Sequence, residues 1–385
     1  MATVPNLMRQ LQQLVALPSV SATDPKLDMG NLAVVELLAA WLETLGFKAE
    51  ILPLPGQPHK ANLIATLSAG GPGDGGLVLA GHTDTVPYDE GRWQSDPFQL
   101  RERDGRLYGL GTADMKGFFP LAIEAAKTFL DKPRRQPLII LATADEETSM
   151  AGARALVKAG RPRARYAVVG EPTGLKPVHM HKGITMQAVQ ITGRSGHSSN
   201  PALGASALEA MHKAIGALLA LRAEWQDSYQ NPGFAVPVPT MNLGCIHGGD
   251  NPNRICGSAE LQFDLRPLPG MALADLCGEL ERRLQDSVSE EQVQLECRAL
   301  FDGTEAFEQD RHSELVQTAE KLTGHRAESV AFATEAPYFK RMGMDTIVLG
   351  PGDIDQAHQP DEYLGQERIE PMVDILRGLI AKFCL

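Results

Sequence analysis

Side chains that commonly bind metal ions follow four short apolar segments of this 385-residue sequence. The segments and their side chains are 77–80 with His82 and Asp84, 138–142 with Glu146 and Glu147, 166–169 with Glu171, and 346–349 with His358. Asp114 lies in a glycine-rich loop, 109–117, just before a helical stretch. Imidazole and carboxylate groups are the usual ligands of Zn²⁺ and similar ions. Each residue alone is typical of a polar strand end, but their joint occurrence indicates a metal site.

The types and spacing of these residues suggest a hydrolytic site. Ligands of open α/β sheets bind beyond the carboxyl ends of the strands, so the segments are expected to meet in one crevice. Three protein ligands per ion leave a position for water, and two ions about 3.5–4 Å apart can share that water. The spacing His82-x-Asp84 fits a carboxylate that accepts the second ring N–H of a metal-bound histidine. Adjacent Glu146 and Glu147 point in different directions, so one can bind metal while the other acts as a base.

Apolar runs and helical periodicity predict the elements that position these residues. The runs at 62–67, 77–80, 138–142 and 166–169 are continuous and are separated by Gly/Pro-rich turns. Continuous apolar runs are typical of strands that helices cover on both faces. Helical spacing recurs at 7–15, 32–42 and 369–383. We therefore predict an α/β protein whose catalytic domain is a mixed sheet in an α/β/α arrangement.

The middle of the chain has a different pattern. Apolar and polar residues roughly alternate over 184–191, and the pattern continues with a helix from 202 to about 225. Two strands within 240–266, a helix at 272–288 and a strand near 293–297 follow. The order βαββαβ is typical of a ferredoxin-like unit. We predict an inserted domain at 183–300, within a discontinuous catalytic domain formed by 1–182 and 301–385.

Composition excludes several functional classes. The formal net charge of −12 argues against nucleic acid or an anionic membrane as the main partner. No uncharged apolar run approaches the roughly 18 residues of a membrane-spanning helix, and the first ten residues do not resemble a signal peptide. The five cysteines are odd in number and form no CxxC pair, which fits a reducing cytoplasm and predicts small buried apolar residues.

Several motifs resemble those of the dinuclear zinc amidohydrolase/exopeptidase family, and the resemblance covers nearly the whole chain. The motifs are Gly-His-Thr-Asp-Thr-Val-Pro at 81–87, Gly-Leu-Gly-Thr-Ala-Asp-Met-Lys-Gly at 109–117, Ala-Asp-Glu-Glu-Thr at 144–148 and Gly-Glu-Pro at 170–172. The segments Arg-Ile-Cys at 254–256 and Thr-Glu at 334–335 depart from the wider family pattern. Both departures point to the deacetylase branch of the family.

The resemblance implies a role for each matched residue. Asp114 would bridge two divalent ions, zinc first and cobalt as the alternative. His82 and Glu171 would complete one ligand set, and Glu147 and His358 the other. Asp84 would orient His82, and Glu146 would be the general base. The inserted domain would be a lid and the interface of a homodimer, with His197 reaching the partner's site and Asn253, Arg254 and Arg266 near the substrate.

The function implied by the resemblance is hydrolysis of N2-acetyl-L-ornithine to L-ornithine and acetate. A desuccinylase or a broad N-acyl amino acid hydrolase is the alternative of the same chemistry, and an inactive binding module is the alternative of another class. Arg254 and Arg266 are candidates for the substrate carboxylate, although Arg266 is as well explained by a pairing with Asp264. Glu335 is a candidate for the substrate ammonium, with a helix-capping role as the equal alternative.

Overall fold

The computed structural model describes residues 4–70, 75–289 and 292–385. The chain forms two compact units. The first comprises Met1–His179, Gln309–Glu328 and Thr334–Leu385, and the second comprises Met180–Glu308 and Ser329–Ala333. Among the described helices, none has both the length and the apolar character needed to cross a membrane.

The α-helices of the described residues are numbered in chain order. They are α1 (Leu7–Val15), α2 (Leu32–Thr44), α3 (Phe118–Lys127), α4 (Ala151–Ala159), α5 (Ala207–Ser228), α6 (Leu273–Ser287), α7 (Glu314–Thr323), α8 (Ala336–Arg341) and α9 (Ile369–Cys384). Short 3₁₀ helices lie at Pro201–Leu203, Ile354–Gln356 and Gln366–Arg368.

The β-strands of the same residues are numbered in the same way. They are β1 (Lys48–Leu54), β2 (Gln57–Leu67), β3 (Leu77–His82), β4 (Arg101–Arg103), β5 (Arg106–Tyr108), β6 (Leu138–Thr143), β7 (Tyr166–Val169), β8 (Val178–His181), β9 (Ile184–Thr192), β10 (Thr240–Gly248), β11 (Ser258–Arg266), β12 (Gln294–Thr304), β13 (Phe307–Glu308), β14 (Glu328–Val330), β15 (Asp345–Val348) and β16 (Tyr363–Gly365).

The first unit is built on a mixed sheet with the strand order β1-β2-β6-β3-β7-β15-β8. Strands β6, β3, β7 and β15 run parallel to one another, and β2 pairs with β6 in the antiparallel direction. Every residue of β3, β6 and β7 is buried, as expected for strands covered on both faces. The carboxyl ends of these parallel strands lie at one edge, and all the predicted metal ligands except Asp114, which follows β5, come at or after these ends.

A large apolar core packs behind these strands. It packs residues of α2, α3, α7 and α9 against β2, β3 and β6, including the fully buried Leu38, Leu79 and Phe119. A separate small sheet, β16-β5-β4, joins the segment that follows His358 to the segment that precedes Asp114. The predicted mixed α/β catalytic fold is confirmed, whereas strands β1, β4, β5, β8, β13, β14 and β16 were not predicted.

The second unit has the element order β9-α5-β10-β11-α6-β12, and its four-stranded antiparallel sheet has the order β10-β11-β9-β12. This is the predicted βαββαβ ferredoxin-like arrangement. Its core packs α5 and α6 residues such as Leu218 and Leu280 against Val189 and Phe263 of the sheet.

Two local predictions were wrong. The helix expected from 202 begins at Ala207, because the Ser206 side chain accepts a hydrogen bond from the backbone N–H of Glu209 and caps α5 there. Of the five free cysteines, only Cys256 and Cys384 are buried, while Cys245, Cys277 and Cys297 are partly exposed. Cys245 and Cys297 lie on strands of the second unit's sheet, where residues alternate between the two faces.

Candidate metal centre

His82 ends strand β3, and its imidazole is fixed from both sides. Its Nδ1 lies 2.9 Å from the backbone oxygen of Asp84, and its Nε2 lies 3.0 Å from Oδ1 of Asp114. The carboxylate of Asp84, expected as the partner of Nδ1, is 3.8 Å away and instead accepts the backbone N–H of Glu147 at 3.1 Å. A donating Nδ1–H leaves the Nε2 lone pair available as a ligand. Asp84 therefore orients His82 through its carbonyl and the Glu147 turn through its side chain.

One group of donor atoms surrounds Nε2 of His82. Oδ1 of Asp114 lies at 3.0 Å and Oε2 of Glu171, which follows β7, lies at 3.7 Å. Ligand bonds of 2.0–2.2 Å in a tetrahedral site place neighbouring donor atoms about 3.4 Å apart. The three side chains thus have the spacing of ligands around one ion.

A second group surrounds Nε2 of His358, which lies in the loop after β15. Oε2 of Glu147 is 3.0 Å away, and Oδ2 of Asp114 is 3.5 Å away. Asp114 therefore directs one carboxylate oxygen to each imidazole, as a bridging ligand does. Donor atoms of His82, Asp114 and Glu147 lie within 4.8 Å of one another, so the two groups adjoin.

Burial dominates the electrostatics of these acids. It raises the pKa of Glu171 to about 7 and that of Asp84 to about 6. Burial and the neighbouring Glu171 raise the pKa of Glu146 well above its ordinary value. The hydrogen bond to Glu147 raises the pKa of His358 to about 9. Burial opposes ionisation of Asp114, but the hydrogen bond and charge of His82 hold its pKa below the ordinary value.

The donor set fits divalent cations. Six carboxyl groups (Asp84, Asp114, Glu146, Glu147, Glu171 and Glu335) accompany only two imidazoles, and most are buried. Buried carboxylates need a compensating positive charge. In addition, Oε1 of the predicted ligand Glu171 is buried and lacks a hydrogen-bond partner in the structure. A bound cation would supply both the charge and the partner that Glu171 lacks.

Glu146 and Glu147 project from a sharp turn after β6. The preceding Asp145 has a left-handed backbone (φ 59°), and its carboxylate accepts hydrogen bonds from Lys60 at 2.6 Å and Ser21 at 2.9 Å. The backbone N–H of Met150 closes the turn on the Asp145 carbonyl at 2.7 Å. This anchoring separates the two glutamates, so that Glu147 faces His358 while Glu146 lies near Glu171 and His82.

A glycine is required before Glu171. A Cβ atom at Gly170 would lie only 2.3 Å from the ring of Phe118, the first residue of α3. This close approach brings α3, which follows the Asp114 loop, directly against the end of β7. Packing therefore restricts position 170 to glycine, directly before the predicted ligand Glu171.

Glu335 does not face solvent. Its side chain is fully buried, and Oε2 accepts a hydrogen bond from the Thr143 hydroxyl at 2.8 Å. It occupies the N-cap position of α8 but makes no side-chain capping hydrogen bond. Burial raises its pKa to about 8. In this conformation Glu335 offers no surface to a substrate ammonium, and its side chain does not cap the helix.

The other predicted site residues belong to the second unit, where they have local partners. His197 is exposed and accepts hydrogen bonds from Ser199. Arg254 pairs with Asp250 at 2.5 Å, and Arg266 pairs with Asp264 at 3.0 Å. Asn253 is exposed in the same loop as Arg254. Arg254 lines a groove of about 1110 Å³ within this unit.

Three buried charged residues near the ligands were missed by the sequence reasoning. Lys60 holds Asp145 and Asp28, Lys116 donates to the backbone oxygen of Leu17 at 3.1 Å, and Glu362 accepts backbone N–H groups of the Asp114 loop. Burial lowers the pKa of Lys116 to about 8. Lys116 and Glu362 lie two and four residues from the predicted ligands Asp114 and His358, and this proximity was the available signal.

Known proteins match this sequence over most of its length. The profile of a family described as "Peptidase family M20/M25/M40" matches residues 78–382. The protein named acetylornithine deacetylase of Pasteurella multocida is 49% identical over 385 residues, which are 100% of both chains.

Solved structures share the fold. An M20 family metallo-carboxypeptidase of Sulfolobus solfataricus superposes with a TM-score of 0.76 at 18% identity, covering 98% of each chain. The YXEP protein of Bacillus subtilis, described as a dinuclear metal-binding peptidase of the M20 family, has a TM-score of 0.70 at 15% identity, again covering 98% of each chain.

Proposed function

The chain belongs to peptidase family M20/M25/M40, and we propose that it hydrolyses N2-acetyl-L-ornithine to L-ornithine and acetate. The observation that carries the chemistry is Asp114, whose two oxygens face the imidazoles of two adjoining ligand sets at 3.0 and 3.5 Å. The full-length relative at 49% identity supports the choice of substrate, because its name states that it deacetylates acetylornithine.

The proposed centre holds two divalent ions, zinc first and cobalt as the alternative. His82, Glu171 and Asp114 would hold one ion, and His358, Glu147 and Asp114 the other. When bound, such ions polarise an amide carbonyl and lower the pKa of water. The described dinuclear M20 peptidase of Bacillus subtilis shares this fold.

In this proposal Glu146 moves the proton. It is buried beside the predicted ligands, where the charges of Glu171 and His82 act on it. Its carboxylate would take the proton of the attacking water and return it to the leaving amine. Positive charge near Glu146 would lower its raised pKa and keep it ionised for this role. Asp84 would maintain the geometry by holding His82 and the N–H of Glu147.

Residues of the second unit are proposed to bind the substrate. Arg254 is the first candidate for the α-carboxylate, because a guanidinium matches a carboxylate bidentately and its present partner Asp250 is itself exposed. Arg266, paired with the partly buried Asp264, is the second candidate. Asn253 adjoins Arg254 in sequence. Glu335 remains the predicted partner of the substrate ammonium only if a conformational change exposes it.

We also propose a homodimer formed through the inserted domain, with His197 stabilising the oxyanion in the partner's site. The exposure of His197 leaves its Nε2 available for such a contact. The free, unpaired cysteines fit a reducing cytoplasm as the site of action.

A substrate panel tests the proposal. Metal-free and Zn²⁺- or Co²⁺-loaded enzyme would be incubated with acetylornithine, acetylmethionine and succinyl-diaminopimelate, and the release of free amine measured. The proposal expects the highest kcat/KM with acetylornithine, and only in loaded enzyme. A preference for the succinyl substrate would show that the protein is a desuccinylase. Equal rates on both acetyl substrates would show that it is a broad N-acyl amino acid hydrolase. Absence of turnover in loaded enzyme would favour a binding module.

A further inference from the structure

Glu362 makes an unusual set of hydrogen bonds with the loop that carries Asp114. Its Oε1 accepts the backbone N–H groups of Ala113 at 2.7 Å and Asp114 at 3.0 Å, while Oε2 accepts that of Gly111 at 3.0 Å. Its own backbone oxygen accepts the N–H of Gly109 at 3.0 Å. One residue therefore binds four backbone amides within six positions of a single loop.

This side chain is almost fully enclosed, with 1% of its surface exposed. Buried backbone amides that lose their acceptors are costly, so the loop has a strong preference for the conformation in which Glu362 satisfies them. Glu362 is therefore placed to determine where the Asp114 backbone lies.

Glu362 also belongs to the segment that carries His358, four residues earlier. Directly after Glu362, the chain forms β16 and pairs with β5, with Tyr363 opposite Tyr108. Glu362 and the β5–β16 ladder thus join the His358 segment to the Asp114 loop. The separation between Nε2 of His358 and Oδ2 of Asp114, 3.5 Å, depends on how these two segments are held together.

We propose that Glu362 is a positioning residue for the metal centre: by clamping the Asp114 loop to the His358 segment, it sets the ligand geometry. It acts through backbone amides and contacts neither metal nor substrate. Residues outside the ligand set that orient ligands commonly change metal affinity by about 10- to 100-fold when they are replaced. The inference rests on the proposed ligand assignment of Asp114 and His358.

Two variants separate this role from simple support of the fold. Glu362→Gln keeps the size of the side chain and one acceptor oxygen for Ala113 and Asp114, but its amide nitrogen cannot accept from Gly111. Glu362→Ala removes all three side-chain acceptors. We therefore expect a smaller loss of metal affinity in Glu362→Gln than in Glu362→Ala.

Gln309→Ala is the matched control. Gln309 is also buried and also joins two segments, accepting the N–H of Thr346 and donating to Asp345, each at 3.0 Å. Its partners begin β15, at the opposite end of the parallel strands from the ligands. This variant should be less stable without altering the metal centre.

The probe is Co²⁺ added to metal-free protein, with affinity measured by calorimetry and geometry by the visible absorption of the bound ion. At a temperature where all variants are folded, we expect the dissociation constant to rise by about 10- to 100-fold in Glu362→Ala and less in Glu362→Gln, with altered spectra. Gln309→Ala should match the original protein in both measurements.

The opposite result would overturn the inference: original affinity and spectrum in both Glu362 variants, with a loss of thermal stability like that of Gln309→Ala. If Glu362→Ala does not fold, Glu362→Gln decides alone, since an unchanged affinity and spectrum in that variant would equally refute the role. A failure of the original protein to bind Co²⁺ would instead contradict the proposed metal centre itself.

Discussion

The predicted ligands of the first unit and the predicted substrate residues of the second unit differ in how much of their geometry is already built. Oxygens of Asp114 lie 3.0 and 3.5 Å from two imidazoles, in a largely buried cluster. The side chains of Arg254 and His197 are exposed, and they pair with Asp250 and Ser199 of their own loops. The fold therefore preorganises the proposed metal centre, while the proposed substrate residues can change partners at little cost.

The two regions also differ in what holds them in place. An exposed ion pair such as Arg254–Asp250 is worth about 0–1 kcal/mol, because water competes for both charges. The buried ligands are instead held by backbone groups, as in the bond from His82 Nδ1 to the Asp84 carbonyl and the bond from the Glu147 N–H to Asp84. Substitutions that remove contacts in the buried cluster should therefore destabilise the fold more than substitutions of the exposed residues.

Metal removal should give the largest effect. Chelation is expected to reduce acetate release to background, and added Zn²⁺ or Co²⁺ to restore it. The melting temperature should also rise on reloading, because an ion at a thousandfold its dissociation constant stabilises the fold by about 4 kcal/mol. Calorimetry and an acetate assay on the same samples measure both. Full turnover after verified metal removal would contradict a built metal centre.

Replacement of Glu146 tests the division of roles within the buried cluster. Glu146→Gln should lower kcat by about 10²- to 10⁴-fold while two ions per chain are retained, because the residue is proposed as a base and not as a ligand. Glu147→Gln is the comparison variant and should lose metal. Metal content by elemental analysis distinguishes them. Loss of an ion from Glu146→Gln would mean that the two roles are exchanged.

Mixed dimers test whether the exposed His197 acts on another subunit. His197→Ala and Glu146→Gln should each be nearly inactive alone, and co-refolded mixtures should regain part of the original activity. Such a mixed dimer would contain one intact metal site facing one intact His197. Recovery is followed by acetate release, with mixed dimers verified by differential tagging. If verified mixed dimers recover no activity, His197 does not act in the partner's site.

The buried Glu335 predicts a pH-dependent stability. Its pKa in the folded protein, about 8, exceeds the ordinary value of 4.5. The stability that the protonated carboxyl contributes is therefore fully present below pH 4.5 and is lost as the pH rises through 8. In metal-free protein, Glu335→Gln should gain stability relative to the original chain as the pH rises from about 5 to about 9. The difference should approach the order of 4 kcal/mol. Urea unfolding at both pH values measures it, and a pH-independent difference would show that Glu335 does not titrate in this range.

Replacement of Arg254 should have the smallest effect on the fold and a moderate one on binding. Arg254→Ala is expected to raise KM for acetylornithine by about tenfold with an unchanged melting temperature, through loss of one carboxylate contact worth about 1.5 kcal/mol. Arg298→Ala is the matched control, since Arg298 has nearly the same exposure (52% against 51%) and a similar partner, Glu260. Equal KM values in the two variants would remove Arg254 from substrate binding.

Much of the architecture could be predicted because it depends on local pattern. Continuous apolar runs identified β3, β6 and β7, and the order of strands and helices identified the ferredoxin-like unit. The same runs placed the ligand side chains at strand ends, where parallel strands must bring them together. Strand β16 and the small sheet were missed because three-residue strands carry almost no periodicity.

The sequence by itself determined which residue types follow which strands, and hence the candidates His82, Glu146, Glu147, Glu171 and His358, with Asp114 in a loop before a helix. The family resemblance then assigned Glu147 as a ligand and Glu146 as the base. Only the tertiary structure decided their surroundings. It placed the Asp84 carbonyl, rather than its carboxylate, on His82, and it enclosed Glu335 against Thr143. It also brought Glu362 to the amides of a loop about 250 positions earlier. These contacts join segments far apart in the chain, and their partners are set by packing geometry, which no local pattern of residues contains.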